Sequence, residues 1–143
     1  WRKPDGMPQF TGDRPGTGVE CMAIAHPRGR KRWNGGGKHA VWTCPLDHSH
    51  GGDGKSEHPT TKPRALMVAL VSDFTDPGET ILDPFTGSGT TGVACLCLGR
   101  QFIGIEKNPK YFELACARLR AEESGSTLQA ARAGQTTLFG GAR

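Results

Sequence analysis

The chain has 143 residues, with 18 Lys/Arg against 14 Asp/Glu and a formal net charge of +4. Only 35% of it is hydrophobic, and Gly 21 and Pro 10 together exceed a fifth of the residues, which is lean for an autonomous core and allows one domain with appendages. No window approaches the roughly 18 apolar residues of a membrane helix, and five cysteines, an odd count, do not make a secreted disulfide framework; with no signal-peptide pattern in these residues the expectation is a reducing cytoplasm.

Charge and composition divide the chain. Residues 1–57 hold nine Lys/Arg and six acids, a balance of +3, whereas residues 58–143 hold nine and eight, a balance of +1. The first part reads as a loop-rich basic region, 58–123 as an α/β unit, and 124–143, rich in Ser, Gly, Ala and Thr, as a flexible tail. The chain opens Trp1-Arg2-Lys3-Pro4, which looks like the end of a strand in something longer.

Thr11-Gly12-Asp13-Arg14-Pro15-Gly16 reads as a structural turn in which Asp13 caps and Arg14 pairs with a carboxylate. Residues 26–39 contain five Arg/Lys and no acid, with an aromatic among them. Such a loop attracts a phosphate backbone. Arg28, Arg30, Lys31 and Arg32 can position DNA, Asn34 can read a base edge, and Trp33 can stack or simply pack. The competing reading is a solvated basic loop anchored by Trp33. Cys44, His48 and His50, with Cys21 or His39 as a fourth, have ligand chemistry. Zinc spacing usually pairs ligands at both ends of a loop, however, and here a Gly-rich run follows, so the expectation is a surface loop without metal.

In the second part, Leu66, Ala69, Leu70 and Asp73-Phe74 recur at helical spacing within 64–75, and Asp76-Pro77-Gly78 makes a turn. Thr80 to Asp83 reads as a buried strand. It runs into Gly87-Ser88-Gly89, glycines that let the backbone turn tightly and approach a ligand. Thr90 to Leu98 reads as a helix stopped by Gly99, and Gln101 to Glu106 as a second strand. Asn108-Pro109 is a cap and first-turn proline. The helix that follows places Phe112, Ala115, Cys116 and Leu119 on one face and runs to about Glu123. Cys95, Cys97 and Cys116 read as small apolar helix residues.

A strand, a glycine turn and a helix start gather free N–H groups, as α/β folds do where they bind nucleoside-bearing cofactors. Gly87-x-Gly89-x-x-Gly92 matches the dinucleotide pattern, and Glu106 at the end of the second strand can accept both ribose hydroxyls. That much suits NAD and S-adenosylmethionine equally. A phosphate-cradling P-loop is excluded, since no Lys-Ser/Thr follows the glycines. Asp83 tilts the choice: beside the turn it repels a pyrophosphate and suits the sulfonium and ammonium of S-adenosylmethionine.

Asp83-Pro84-Phe85-x-Gly87-x-Gly89-Thr90-Thr91 resembles motif I of the S-adenosylmethionine-dependent DNA amino-methyltransferases, which methylate N6 of adenine or N4 of cytosine. His58-Pro59-Thr60-Thr61-Lys62-Pro63 resembles their motif X, and Ile103-Gly104-Ile105-Glu106 with Lys107-Asn108-Pro109 and Tyr111 resembles motif II. The motif order resembles the permuted β-type arrangement. The resemblance implies a Rossmann-like α/β fold, S-adenosylmethionine as cofactor and double-stranded DNA as partner. Cofactor contacts would come from Thr60, Thr61, Lys62, Asp83, Phe85, Gly87, Ser88, Gly89, Thr90 and Glu106, with the recognition region in the N-terminal part. The family's Asp/Ser/Asn-Pro-Pro-aromatic catalytic motif does not occur in these residues. The expectation is therefore a C-terminal part or one chain of a split enzyme, inactive alone, with another segment supplying that motif. The rivals are a non-catalytic DNA-binding or clamp-tethering module and an NAD-binding domain. Gln135-Thr-Thr-Leu138-Phe139 resembles the short peptide that docks on bacterial sliding clamps, which makes a clamp a candidate partner.

Overall fold

The computed structural model describes residues 1–6, 11–29, 32–47 and 61–125. Arg30, Lys31, His48, His50, His58, Thr60 and the tail with Gln135, Leu138 and Phe139 lie outside the described residues. The described elements run α1 (Arg64–Phe74), β1 (Thr80–Asp83), α2 (Thr90–Cys97), β2 (Gln101–Gly104) and α3 (Pro109–Ser124).

β1 and β2 pair in parallel, with Thr80 opposite Gln101 and Asp83 opposite Gly104, and α2 is the crossover between them. The sequence places β1 within its observed bounds but not its burial, since no residue of β1 is buried and Leu82 is more than half exposed; the second strand ends at Gly104 rather than Glu106. Ile105 continues the pairing in part: its N–H donates to the Asp83 carbonyl at 2.9 Å, and its own carbonyl accepts the Thr86 N–H at 3.1 Å. There the chain leaves the sheet to enclose the turn. α3 begins as its cap residues dictate, with the Asn108 side chain accepting the Lys110 N–H at 3.0 Å and Pro109 in the first turn.

α1 lies between two apolar layers. One gathers Val71, Ala94 and Cys95 with Met67, Ile81, Leu98 and Phe102, which seats α1 and α2 on the sheet. The other gathers Trp1, Trp42, Cys44 and Leu66 with Met22, Trp33, Leu70 and Phe74, which packs the N-terminal loops onto α1. Those loops have little regular pairing of their own among the described residues: Arg2 bridges Val19 and Thr43 in isolated contacts. Their order comes from three tryptophans and from hydrogen bonds such as Trp1 Nε1 to the Cys44 carbonyl at 2.8 Å. The opposite sheet face stays open among the described residues, with Leu82 and Ile103 side by side and more than half exposed.

Two further expectations, about the helices, are corrected. The buried row of α3 is Leu114, Ala115, Ala117, Arg118 and Ala121, whereas Phe112 is half-exposed. The reason is close packing against the glycine turn and α2, which selects small side chains. A Cβ at Gly89 would sit 2.9 Å from Ala115 Cβ, and one at Gly92 would sit 2.7 Å from Leu119 Cδ2. Cys97 is exposed rather than a packed apolar residue. Its sulfur accepts from Arg64 Nη2 at 2.9 Å and its thiol donates to Glu122 at 3.0 Å. With the Arg64–Glu122 pair at 2.6 Å, this joins α1, α2 and α3. Cys95, by contrast, is fully buried, and burial pushes its thiol up to about 11.

Candidate cofactor site

β1 delivers Asp83 to the carboxyl edge of the sheet, and the chain then turns through Pro84–Gly89 into α2. Gly87 at φ 54° and Gly89 at φ 80° hold the left-handed conformations that this turn requires. Asp83 is fixed on both oxygens: Oδ1 accepts the Phe85 N–H at 3.1 Å and Oδ2 accepts the Thr91 hydroxyl at 2.6 Å. Glu106 is fixed likewise, Oε2 by the Gly87 N–H at 3.0 Å and Oε1 by the Asn108 N–H at 2.8 Å. Both carboxylates therefore arrive in set orientations on one wall.

That wall closes one side of a cavity of about 460 Å³. Asp83, Thr86, Gly87, Ser88, Thr90, Thr91 and Glu106 supply the polar side, beside Phe85; Leu66, Met67 and Leu70 of α1, with Trp1 and Met22, supply an apolar side; Thr61, Lys62 and Glu20 complete it. Of the residues expected from sequence, Thr61, Lys62, Asp83, Phe85, Gly87, Ser88, Thr90 and Glu106 meet here. Thr60 lies outside the described residues. Gly89 sits behind the wall, its N–H donated to the Thr86 carbonyl at 2.8 Å and its Cα against α3. Phe85 projects with 89% exposure.

Lys62 does not point at the turn alone. Its Nζ pairs with Glu20 Oε2 at 2.7 Å, while Lys3 holds Glu20 Oε1 at 2.5 Å, and both ammonium groups lie over the Trp1 ring. The hydrogen bond from Lys3, then that from Lys62, holds the Glu20 carboxyl below its ordinary range. Thr86 carries a different signature. Its hydroxyl oxygen is buried without a hydrogen-bond partner, alone in this among the described residues.

Sequence reasoning missed Trp1, Glu20, Met22 and the α1 face, because nothing local links them to the turn. It also missed Arg118, whose Nη1 donates to the Ser88 carbonyl and hydroxyl and to the Thr90 hydroxyl. The position of Arg118 three residues after the buried Ala115 was the available signal.

The basic loop is largely committed to α1. Asn34 Nδ2 donates to the carbonyls of Ser72 (3.3 Å) and Thr75 (3.0 Å) and to Asp76 Oδ1 at 3.0 Å. Its own N–H donates to the Asp73 carbonyl at 2.7 Å. A base edge would have to compete with those acceptors for the Asn34 amide. Arg32 pairs with Asp76 and with Glu79. Trp33 stands edge-on to Phe74 at 5.2 Å and donates to the Gly36 carbonyl at 2.6 Å. Arg28 is exposed. Further along, Cys44 is buried, with its thiol 3.5 Å from the Pro45 carbonyl.

A family profile described as "DNA methylase" matches residues 1–117. The Type II methyltransferase M.XycI of Xanthomonas campestris pv. cyanopsidis is 35% identical over 136 residues, and M.Cfr9I of Citrobacter freundii is 33% identical over the same length. Both matches cover 87% of this chain but 44% of the relative, so the chain spans less than half the length of these relatives. The crystal structure of an M1.HpyAVI–SAM complex superposes with a TM-score of 0.60 at 36% identity, over 83% of this chain and 59% of that one. No helix among the described residues is long and apolar enough to cross a membrane. With the profile covering most of the chain and the glycine turn, Asp83 and Glu106 inside it, the protein belongs to the DNA methylase family.

Proposed function

We propose that the chain carries the cofactor-binding part of an S-adenosylmethionine-dependent DNA methyltransferase acting on N6 of adenine or N4 of cytosine. The observation that carries this reading is the cavity bounded by Asp83, the glycine turn and Glu106. Its volume of about 460 Å³ lies within the range of roughly 300–1,000 Å³ typical of small-molecule sites.

The donor set fits S-adenosylmethionine better than a dinucleotide. Two carboxylates on one wall favour a ligand with a sulfonium and an ammonium and disfavour a pyrophosphate. Each Glu106 oxygen accepts one backbone N–H and keeps a further lone pair, enough to receive two ribose hydroxyls while staying oriented. Asp83 and Thr61–Lys62 would border the methionine end, and Leu66, Met67 and Leu70 give an apolar wall that excludes water. When bound, S-adenosylmethionine supplies the methyl group for the target amine. The chain's own residues contribute orientation and a charge-matched pocket rather than proton transfer.

DNA is the proposed macromolecular partner. Arg28 and its neighbours Arg30 and Lys31 are the candidate phosphate contacts, with Arg32, Trp33 and Asn34 forming the base that holds this loop on α1. The sliding-clamp reading of Gln135, Leu138 and Phe139 rests on sequence alone, and loss of clamp binding on deleting 135–139 would test it.

The experiment for the cofactor is calorimetric titration with S-adenosylmethionine, S-adenosylhomocysteine and NAD, beside Glu106→Ala. Saturable binding of both sulfur compounds, weakened in the variant and absent for NAD, is expected. Binding of NAD, or of neither sulfur compound, would overturn the reading.

A further inference from the structure

The glycine turn has little to select its shape locally. Gly87 and Gly89 both lie at positive φ, which glycine adopts about as readily as negative φ, and Ser88 is the residue between them. One bond within the turn, Gly89 N–H to the Thr86 carbonyl, and one from Gly87 N–H to Glu106 brace it on the cavity side, and α3 faces it from behind the cavity. Ala115 abuts Gly89 so closely that a Cβ there would collide at 2.9 Å. One helical turn on, Arg118 Nη1 donates to the Ser88 carbonyl at 2.8 Å, the Ser88 hydroxyl at 2.9 Å and the Thr90 hydroxyl at 3.1 Å. Arg118, Ser88 and Thr90 are exposed by 8%, 5% and 5%, so water does not compete for these bonds. Arg118 is not on the cavity wall.

We propose that Arg118 is a positioning residue for the cofactor turn: it acts through Ser88 and Thr90 to hold the turn in its ligand-receiving shape and does not itself touch the ligand. The inference rests on reading the turn as the S-adenosylmethionine site. Charge is central to it. A guanidinium binds a backbone carbonyl and two hydroxyls more strongly than a neutral donor does. Burial lowers its pKa, yet an arginine remains cationic throughout the physiological range. An apolar side chain of similar length would fill the volume and leave three acceptors without their donor.

The test compares Arg118→Met and Arg118→Lys with the unaltered 143-residue chain, using amide hydrogen exchange at residues 87–91 and calorimetric affinity for S-adenosylmethionine. In Arg118→Met, exchange at the turn should rise by about tenfold or more, with α1 and the sheet unchanged, and affinity should fall by about tenfold or more. Arg118→Lys should recover most of both, because it restores a charged donor to the Ser88 carbonyl. Wild-type exchange and affinity in Arg118→Met would overturn the proposal, as would protection lost evenly across all the helices, the mark of a merely structural residue. If Arg118→Met does not fold, the double variant Ser88→Ala/Thr90→Val removes two of the three acceptors and is decided by exchange at the turn alone, because both residues line the cavity and their loss would change affinity directly. Absence of S-adenosylmethionine binding in the unaltered chain would overturn the cofactor reading, and the exchange measurement would still decide the role of Arg118.

Discussion

Glu106 and Gly87, nineteen residues apart, are joined across the α2 crossover by a 3.0 Å hydrogen bond from the Gly87 N–H to Glu106 Oε2. The other carboxylate oxygen accepts the Asn108 N–H at 2.8 Å. One side chain thus ties the segment that follows β2 to the glycine turn and to the start of α3. Glu106→Gln puts an NH₂ against one of these two donors. The expected cost is about 1–3 kcal/mol of stability, read as a lower midpoint in urea with an unchanged slope. An unshifted midpoint would show that the bonds hold nothing in solution.

Gly89→Ala faces two penalties at one position. The backbone is at φ 80°, and the new methyl would sit 2.9 Å from Ala115 Cβ. Strain of about 1–2 kcal/mol is expected from the left-handed conformation alone, with overpacking added to it. Pairing the change with Ala115→Gly should relieve only part of the overpacking, because Ala115 Cα, 3.1 Å from the added methyl, stays in place. Full recovery in the double variant would mean that the backbone conformation carries no strain.

Thr86 holds a buried hydroxyl without a partner. Valine keeps the shape and removes the unmet oxygen, so Thr86→Val should leave stability unchanged or raise it by about 1 kcal/mol. A thermal midpoint lowered by several degrees would show that the hydroxyl is bonded after all.

Asn34→Ala separates a latch from a reader. Its side-chain amide holds two carbonyls and a carboxylate at the end of α1. Their loss should cost about 1–2 kcal/mol in the absence of any DNA. A variant with unchanged stability and weakened DNA binding would return Asn34 to base reading.

Glu20 gives a pH signature. Its folded pKa lies below the ordinary 4.5 through the bonds from Lys3 and Lys62, and unfolding removes both. The unfolded chain therefore binds the proton more readily. The stabilisation is fully present above about pH 4.5 and disappears as pH falls through the depressed folded value. Lys3→Met should move the Glu20 titration, followed by carbon-13 NMR, upward toward the ordinary value. An unmoved titration would refute the assignment to Lys3.

Elements with local causes were legible in the residues. Thr80–Asp83, the helix start at Thr90, the Asn108 cap and the positive-φ glycines follow from side-chain size, hydrogen-bonding chemistry and period, each set within a few neighbours. The same reading brought Asp83, Glu106 and the turn to one edge, because a strand–turn–helix–strand unit has only one carboxyl end. It could not assign Arg118 to Ser88, Asn34 to the end of α1 or Lys62 to Glu20, pairs separated by 30, 38 and 42 residues. It also misjudged which face of α3 is buried. Those outcomes depend on how closely two elements approach, which is decided by shape at the contact, such as the missing Cβ of Gly89 beside Ala115. Sequence set the local conformations; the contacts between distant segments decided which polar groups were left to meet a ligand and which were consumed in holding the site together.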